Sequence, residues 1–249
     1  MWVPFNLTAI RYEPYLLFFI SMIVLYSFRD LSSNHRDAII KILFVPNVTN
    51  SRGEMLKEID YGNGRYISAG RDGRVNFWSL EYQQQKSCFI DNLKDVSLWL
   101  TDLICLPNIN MLACATTDRN IMFYDFSGSF FEKKYEICQM PFSPLCMDYW
   151  FDFNDSRKAI LVFGDDGGNV SVIEFNDILS GPFGQIQDKL RGAPQVPFKD
   201  LVKGKYPTAK TKMHQGVHRD WVNSVCQFMF DSIVAPSIYN TCYSIAYLM

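Results

Sequence analysis

A repeated hairpin pattern constrains this chain more than any other feature of its sequence. Each copy reads as an apolar strand, a turn that carries an aspartate, and a second strand of alternating character. The copies are residues 66–80, 112–126 and 160–175, and their turn aspartates are Asp72, Asp118 and Asp166. Asp and Gly favour such turns because Gly accepts positive φ and Asp can bond nearby backbone amides. The aspartates recur about every 46 to 48 residues, which indicates stacked units of roughly four strands each.

A second repeat lies upstream of the hairpins. Residues 35–42 (HRDAIIKI) match residues 218–225 (HRDWVNSV), and residues 99–103 (WLTDL) echo the end of this motif without the histidine. Each copy leads into a short apolar run that suits a buried strand. The two repeats predict an all-β chain, a partial β-propeller of four-stranded antiparallel blades with about three blades and an unfinished fourth.

With these motifs the chain resembles the WD-repeat family, whose blades carry a histidine, a Ser/Thr-bearing strand, an Asp turn and a strand ending in Trp-Asp. The first blade fits best, because His35, Ser68, Asp72 and Trp78 stand where the family places a hydrogen-bonded tetrad. Such a network leaves few buried polar groups without partners, so we assign these four residues to stability. The later blades keep the turn aspartates Asp118 and Asp166 but lack the other tetrad residues, and there we expect packing to hold the strands.

The repeat count predicts four regions in this chain. Residues 1–34 form an apolar N-terminal segment, 35–175 three WD-repeat blades, 176–217 a basic Pro/Gly-rich linker or loop, and 218–249 an incomplete fourth blade with an unpatterned tail. A closed propeller has about four to eight blades, and each blade buries its faces only against neighbours. We therefore expect a fragment or short isoform of a larger propeller protein, or an open arc.

Composition argues against several classes of function. The chain has 24 Lys and Arg against 26 Asp and Glu, a formal net charge of -2, which gives no basis for expecting a nucleic-acid binder. Seven cysteines form no Cys-x-x-Cys pair, and three histidines form no zinc-protease motif. We predict no enzyme, no catalytic, cofactor-binding or metal-binding residues, and no cofactor.

The family resemblance implies a scaffold that binds a protein or peptide, whose identity the sequence does not give. Trp99, Trp221, Lys203 and Lys205 are the candidate contacts, the two lysines because they belong to a lysine-rich stretch within 176–217. The arrangement also resembles large WD-repeat proteins described beside EF-hands and with cilia or testis. That resemblance implies a cytoplasmic, cilium-associated location.

An apolar run at residues 15–28 (YLLFFISMIVLYSF) supports an alternative function. A bilayer-spanning helix needs about 20 apolar residues, and this run has only about 14. A buried core segment is the favoured interpretation of the run. The alternative is a membrane-associated adaptor anchored by residues 15–28.

Overall fold

A computed structural model describes residues 35–49, 55–81, 83–90, 98–128, 131–184, 193–228 and 244–247. The predicted N-terminal segment 1–34, with its apolar run, therefore lies outside the described residues. Within the described ranges, no helix is long and apolar enough to cross a bilayer.

The described chain is nearly all β and forms three four-stranded blades. Blade 1 contains β1 (Ile39–Thr49), β2 (Met55–Gly70), β3 (Arg74–Trp78) and β4 (Gln84–Phe89), in that spatial order. Blade 2 contains β5 (Leu100–Leu106), β6 (Met111–Thr116), β7 (Asn120–Asp125) and β8 (Glu132–Cys138), with a fifth strand, β12 (Gln195–Pro197), beside β8. Blade 3 contains β9 (Pro144–Phe151), β10 (Ala159–Asp165), β11 (Val170–Phe175) and β13 (Ala209–His214). The prediction of a partial β-propeller is confirmed.

Tight turns join the second and third strands of each blade, as the turn aspartates predict. Gly73 and Gly168 have φ of 75° and 76°, a region that L side chains rarely adopt. Gly168 also lies under the connection to the fourth sheet, since a Cβ there would come within 2.2 Å of the His218 carbonyl oxygen. The turns are therefore part of the packing between successive blades.

Apolar and polar residues alternate along the strands, and the apolar side chains form two main cores between the blades. Between blades 1 and 2, Val75 and Phe77 pack with Leu103 and Tyr124. Between blades 2 and 3, a larger cluster includes Phe123 and other apolar residues of both sheets. Each blade thus buries its apolar face against the next one, which is how repeat units reach stability.

The described residues of the segment 176–217, predicted to be a linker or loop, belong largely to the folded core, which corrects that prediction. β13 is the outer strand of blade 3, paired with β11 from His214 opposite Val170 to Ala209 opposite Phe175. β12 pairs in parallel with β8, and a short helix, α1 (Phe198–Val202), follows it. The Pro and Lys content obscured the apolar residues of this segment, of which Phe183, Val196, Phe198 and Leu201 are all buried.

Phe183 is the centre of this folded segment. Its ring makes edge contacts with Phe123 and Tyr135 of blade 2 and with Phe175 of blade 3, at centroid distances of 5.7, 5.8 and 5.9 Å. Tyr206, which follows α1, completes the cluster at 6.0 Å. We call residues 176–184 and 193–208 the clasp, because they contact the outer parts of blades 2 and 3.

A fourth sheet begins where the second His-Arg-Asp motif predicts it. β14 (Val225–Phe228) pairs antiparallel with β15 (Ser244–Tyr247). Val225 packs with Cys146 and Ile160 of blade 3, which places β14 as the first strand of a further blade. β15 lies in the stretch predicted to be an unpatterned tail, while residues 229–243 lie outside the described part of the chain.

Candidate interaction surface

The structure brings the four predicted tetrad residues of blade 1 together. The Trp78 indole N–H donates to Ser68 Oγ at 2.9 Å, and His35 Nε2 lies 2.8 Å from the same oxygen. Asp72 Oδ1 is 3.8 Å from His35 Nδ1, too far for a hydrogen bond. The carboxylate instead accepts backbone N–H groups from Arg36 and Arg74, at 2.8 and 3.1 Å. Three members of the tetrad are thus linked by hydrogen bonds, and Asp72 lies beside His35 without a hydrogen bond to it.

Burial lowers the pKa of His35 below its ordinary value of 6.5, and the neighbouring Asp72 only partly offsets this effect. A neutral imidazole suits the site, because Nε2 can then accept a hydrogen bond from the Ser68 hydroxyl.

Gly70 was not singled out from the sequence, yet the tetrad requires it. A Cβ there would lie 2.4 Å from Asp72 Oδ1 and 2.5 Å from His35 Nδ1.

Blade 2 has a polar turn network of different composition. The Thr116 hydroxyl donates to the predicted turn residue Asp118, and the Asn120 amide donates to Asp118 Oδ2 at 3.1 Å. The same amide group donates to Glu136 Oε1 on β8 at 2.9 Å. The expectation that packing alone holds this blade is therefore incomplete, because side-chain hydrogen bonds also tie its turn to its outer strand.

Blade 3 uses two adjacent aspartates in different roles. Asp166, the predicted turn residue, accepts the Ser143 backbone N–H at 2.9 Å, just as Asp72 accepts that of Arg36. Asp165 is buried, and its Oδ1 accepts the backbone N–H groups of Gly167 and Asn169, each at 2.9 Å. Sequence analysis missed Asn169, whose signal was a polar residue directly after the Gly-Gly turn.

Asp102, which sequence analysis also missed, joins the first strands of all three blades. Lys41 Nζ of β1 lies 2.9 Å from Asp102 Oδ1, and the Met147 backbone N–H of β9 donates to Asp102 Oδ2 at 2.7 Å. Asp102 itself is buried on β5. A paired, hydrogen-bonded charge of this kind fixes the relative positions of its partners.

The turns and the connections between blades lie at one end of the strands. The Leu100 N–H donates to the Arg71 carbonyl, the Trp99 N–H donates to Thr117 Oγ1, and the His218 N–H donates to the Gly168 carbonyl. We define the turn face as the turns 71–73, 117–119 and 166–168 with the connections 35–38, 98–99, 140–143 and 216–224.

Three large aromatic side chains are exposed on the turn face. Trp99, Phe142 and Trp221 expose 42%, 42% and 62% of their surface. The Arg71 guanidinium lies over the Trp99 ring, with Cζ 3.3 Å from the ring centroid. Phe142, which sequence analysis missed, lies over the blade 3 turn, since a Cβ on Gly167 would come within 2.5 Å of its ring. The predicted contacts Trp99 and Trp221 therefore share one surface with a third aromatic residue.

Lys203 and Lys205, the other predicted contacts, lie elsewhere. Both are exposed and follow α1 in the clasp, outside the residues of the turn face. Lys205 Nζ forms an ion pair with Asp200 Oδ1 at 2.8 Å. The structure does not bring these lysines together with Trp99 and Trp221.

Metal-ligating groups and cysteine thiols were also candidates for a reactive site. Within the described ranges, no three His, Cys, Asp or Glu residues come together as they would around a metal ion. Burial raises the pKa of the Cys146 thiol to about 12, and burial also raises the pKa values of Cys105 and Cys114. A thiol is nucleophilic as the thiolate, so these three side chains are inert at neutral pH.

Comparisons with known proteins agree with the repeat motifs. No family model matches the chain. The WD repeat-containing protein on Y chromosome of Drosophila grimshawi is 31% identical over 91 residues, which cover 36% of this chain and 8% of that protein. The protein of the same name from Drosophila pseudoobscura pseudoobscura is 34% identical over 86 residues, 34% of this chain and 8% of its own length. The matched part of this chain thus spans less than a tenth of these curated relatives.

Among solved structures, the crystal structure of BBS1N in complex with ARL6DN, soaked with lead, aligns with a TM-score of 0.38 at 16% identity. That alignment covers 55% of this chain and 37% of the other.

Proposed function

We propose that this chain, built of WD-type repeats, is a non-catalytic scaffold that binds a protein or peptide on its turn face. The exposure of Trp99, Phe142 and Trp221 on that face carries the proposal. Aromatic residues dominate the binding energy of many protein interfaces, and exposed apolar groups gathered on one surface mark interaction sites. The similarity to WD repeat-containing proteins supports the same class of function.

The backbone around these aromatic residues supports a preorganised surface. The Trp99 carbonyl accepts the Thr117 N–H at 3.0 Å, in addition to the bond that the Trp99 N–H donates to Thr117 Oγ1. The Trp221 N–H donates to Asp220 Oδ1 at 2.8 Å. A side chain that is already positioned loses less conformational entropy on binding, so its contact area yields more affinity.

Affinity capture with matched variants tests this proposal. The wild-type chain and a triple variant, Trp99→Ala, Phe142→Ala and Trp221→Ala, would be compared with Tyr61→Ala. Tyr61 is 63% exposed on β2, next to Asp60, which pairs with Asn47 at the end of the blade far from the turn face, and is the control. A protein captured by the wild type and by the control should bind the triple variant at least about 100-fold more weakly in calorimetry. Equal binding to all three chains would refute the role of the turn face.

We also propose that the three blades and the β14–β15 sheet form part of a larger propeller. A propeller needs about four to eight blades to bury all their faces, and the matched relatives are much longer than this chain. A high-resolution structure in which this chain alone closes a ring of five or more blades would contradict the proposal.

We further propose a cytoplasmic, cilium-associated location, because the chain resembles WD-repeat proteins described with cilia. Imaging of the tagged full chain would test this location. The apolar run 15–28 favours a membrane-associated adaptor as the second candidate function. Fractionation of the full chain against a deletion that starts after Phe28 separates the two functions, because a scaffold leaves both chains in the soluble fraction.

A further inference from the structure

The outer strand of blade 3 is an open sheet edge. β13 (Ala209–His214) is the last strand of its sheet, and among the described residues no strand pairs with its outer side. Blade 2 differs, because β12 adds a fifth strand beside its outer strand β8. An open edge presents a row of backbone N–H and C=O groups to which a further strand can bond.

Side chains along β13 alternate between two environments. Ala209 is buried, and Met213 packs against the core between blades 2 and 3. Every second residue is instead exposed, namely Lys210, Lys212 and His214. Because successive side chains of a strand point to opposite faces, these three project from the same side of the edge.

The clasp extends the lysine-rich surface beyond the start of β13, since α1 lies beside that strand. Lys205 Nζ is 2.8 Å from Asp200 Oδ1. This hydrogen bond, together with the nearby charges of Lys199 and Lys203, lowers the pKa of the Asp200 carboxyl. Three lysines thus surround one carboxylate at the end of α1.

Positive charge exceeds negative charge on this surface. Residues 193–214 contain five lysines and one acidic residue, and Glu174 of β11 is the neighbouring carboxylate, 3.6 Å from Lys212 Nζ. The net charge of this set is +3. Among the described residues no ion pair joins Lys210, so a positive charge remains on the strand itself.

We infer that β13 accepts an extended acidic segment of a partner protein as a fifth strand of blade 3. The backbone of that segment continues the ladder along residues 209–214, and acidic side chains at every second position lie beside Lys210 and Lys212. Lysines on an edge oppose the addition of a neutral or basic strand, so they select an acidic one. The edge favours a polypeptide over a nucleic acid, because only a polypeptide continues the amide ladder.

The outer strand of blade 1 lacks this combination. β4 also ends its sheet, but it has one lysine, Lys86, whose Nζ donates to the Gly128 carbonyl at 3.4 Å. An acidic segment therefore finds an unpaired lysine on β13 and none on β4. The β13 edge is separate from the turn face and does not depend on the function proposed there.

Short blocked peptides titrated onto the full chain test the inference. In the first peptide Glu alternates with Thr, because Thr favours strands. One control has Gln in place of Glu, and the other keeps the charges but has every backbone amide N-methylated. By fluorescence anisotropy at low salt, the Glu peptide should bind saturably and at least about tenfold more tightly than either control.

Four results of this titration would overturn the inference. They are no saturable binding of the Glu peptide, equal binding of the Gln peptide, equal binding of the N-methylated peptide, and tighter binding of a thymidine oligonucleotide with the same charge. Equal binding of the N-methylated peptide would show a charged patch without strand addition.

Variants and hydrogen exchange locate the binding. The double variant Lys210→Gln and Lys212→Gln should weaken binding of the Glu peptide at least about fivefold. Lys57→Gln, at an exposed lysine of β2, is the control and should leave binding unchanged. In the wild-type chain the Glu peptide should slow amide exchange in β13 and not in β4. Full-strength binding to the double variant, or protection of β4 in place of β13, would refute the site.

Discussion

Ser68 is the residue whose replacement tests the tetrad most directly. It is fully buried, it accepts the Trp78 indole N–H at 2.9 Å, and it lies 2.8 Å from His35 Nε2. Ser68→Ala removes one oxygen and leaves two buried polar groups without that partner. Each such group costs about 1–3 kcal/mol, so we expect the free energy of unfolding to fall by about 2–4 kcal/mol, since the two losses share one site.

Blade 3 contains a matched control for this substitution. Ser171 on β11 is equally buried, and its hydroxyl makes no hydrogen bond within the described structure. Ser171→Ala removes the same atom without breaking a bond, and we expect a change of less than about 1 kcal/mol, with stabilisation the favoured direction.

Urea denaturation measures the two effects, and hydrogen exchange locates them. Ser68→Ala should increase exchange first at the amides of β2 and β3, because the lost bond from the Trp78 indole connects those two strands. Exchange in blade 3 should stay unchanged until global unfolding. If Ser68→Ala and Ser171→Ala shift the urea midpoint by the same amount, the hydrogen bonds of the tetrad contribute nothing to stability.

Three further predictions concern other parts of the fold. Asp72→Ala should lower the free energy of unfolding by about 1–3 kcal/mol, since two backbone N–H groups lose their acceptor; an unchanged urea midpoint would contradict this. Phe183→Ala should cost about 3–5 kcal/mol by opening a cavity in the clasp, whereas Val202→Ala on exposed α1 surface should cost less than about 0.5 kcal/mol, as thermal melting would show. Because the folded-state pKa of His35 is below the unfolded value of 6.5, unfolded chains bind the proton first as pH falls. Stability should therefore be constant above about pH 7 and decrease below about pH 6.5, and His35→Gln should reduce that slope in urea titrations at several pH values.

The repeats predicted the blades because turns and alternation are local signals. Asp72 and Gly73 fix a hairpin through their own backbone geometry, and the neighbouring strands follow from period-two burial. The tetrad could be predicted from the sequence for a similar reason. Its residues lie in one blade, so the lengths of the strands and turns of that blade set their spacing along the chain.

The clasp could not be predicted in this way because its contacts are remote in sequence. Val196 is buried only because β12 lies beside β8, about 60 residues earlier in the chain, and Phe183 packs between two blades. Neither residue belongs to a periodic run, and the surrounding prolines and lysines are typical of a loop. Asp102 was missed for the same reason, since its partners Lys41 and Met147 belong to two other blades.

The blades also show why the turn aspartate recurs where the rest of the tetrad does not. In blades 1 and 3 the aspartate accepts a backbone N–H from the connection that leads into its own blade, from Arg36 and from Ser143. Every such connection has backbone N–H groups, whatever its side chains, so an acceptor is needed there in each repeat. The Ser68, His35 and Trp78 side chains bond one another, and His35 Nε2 also lies 3.4 Å from Asn76 Nδ2 on the same blade. Their polar partners thus lie within one blade, so a repeat that loses them as a set loses those bonds together, and blade 3, with Val162 and Ile173 among its buried residues, keeps Asp166.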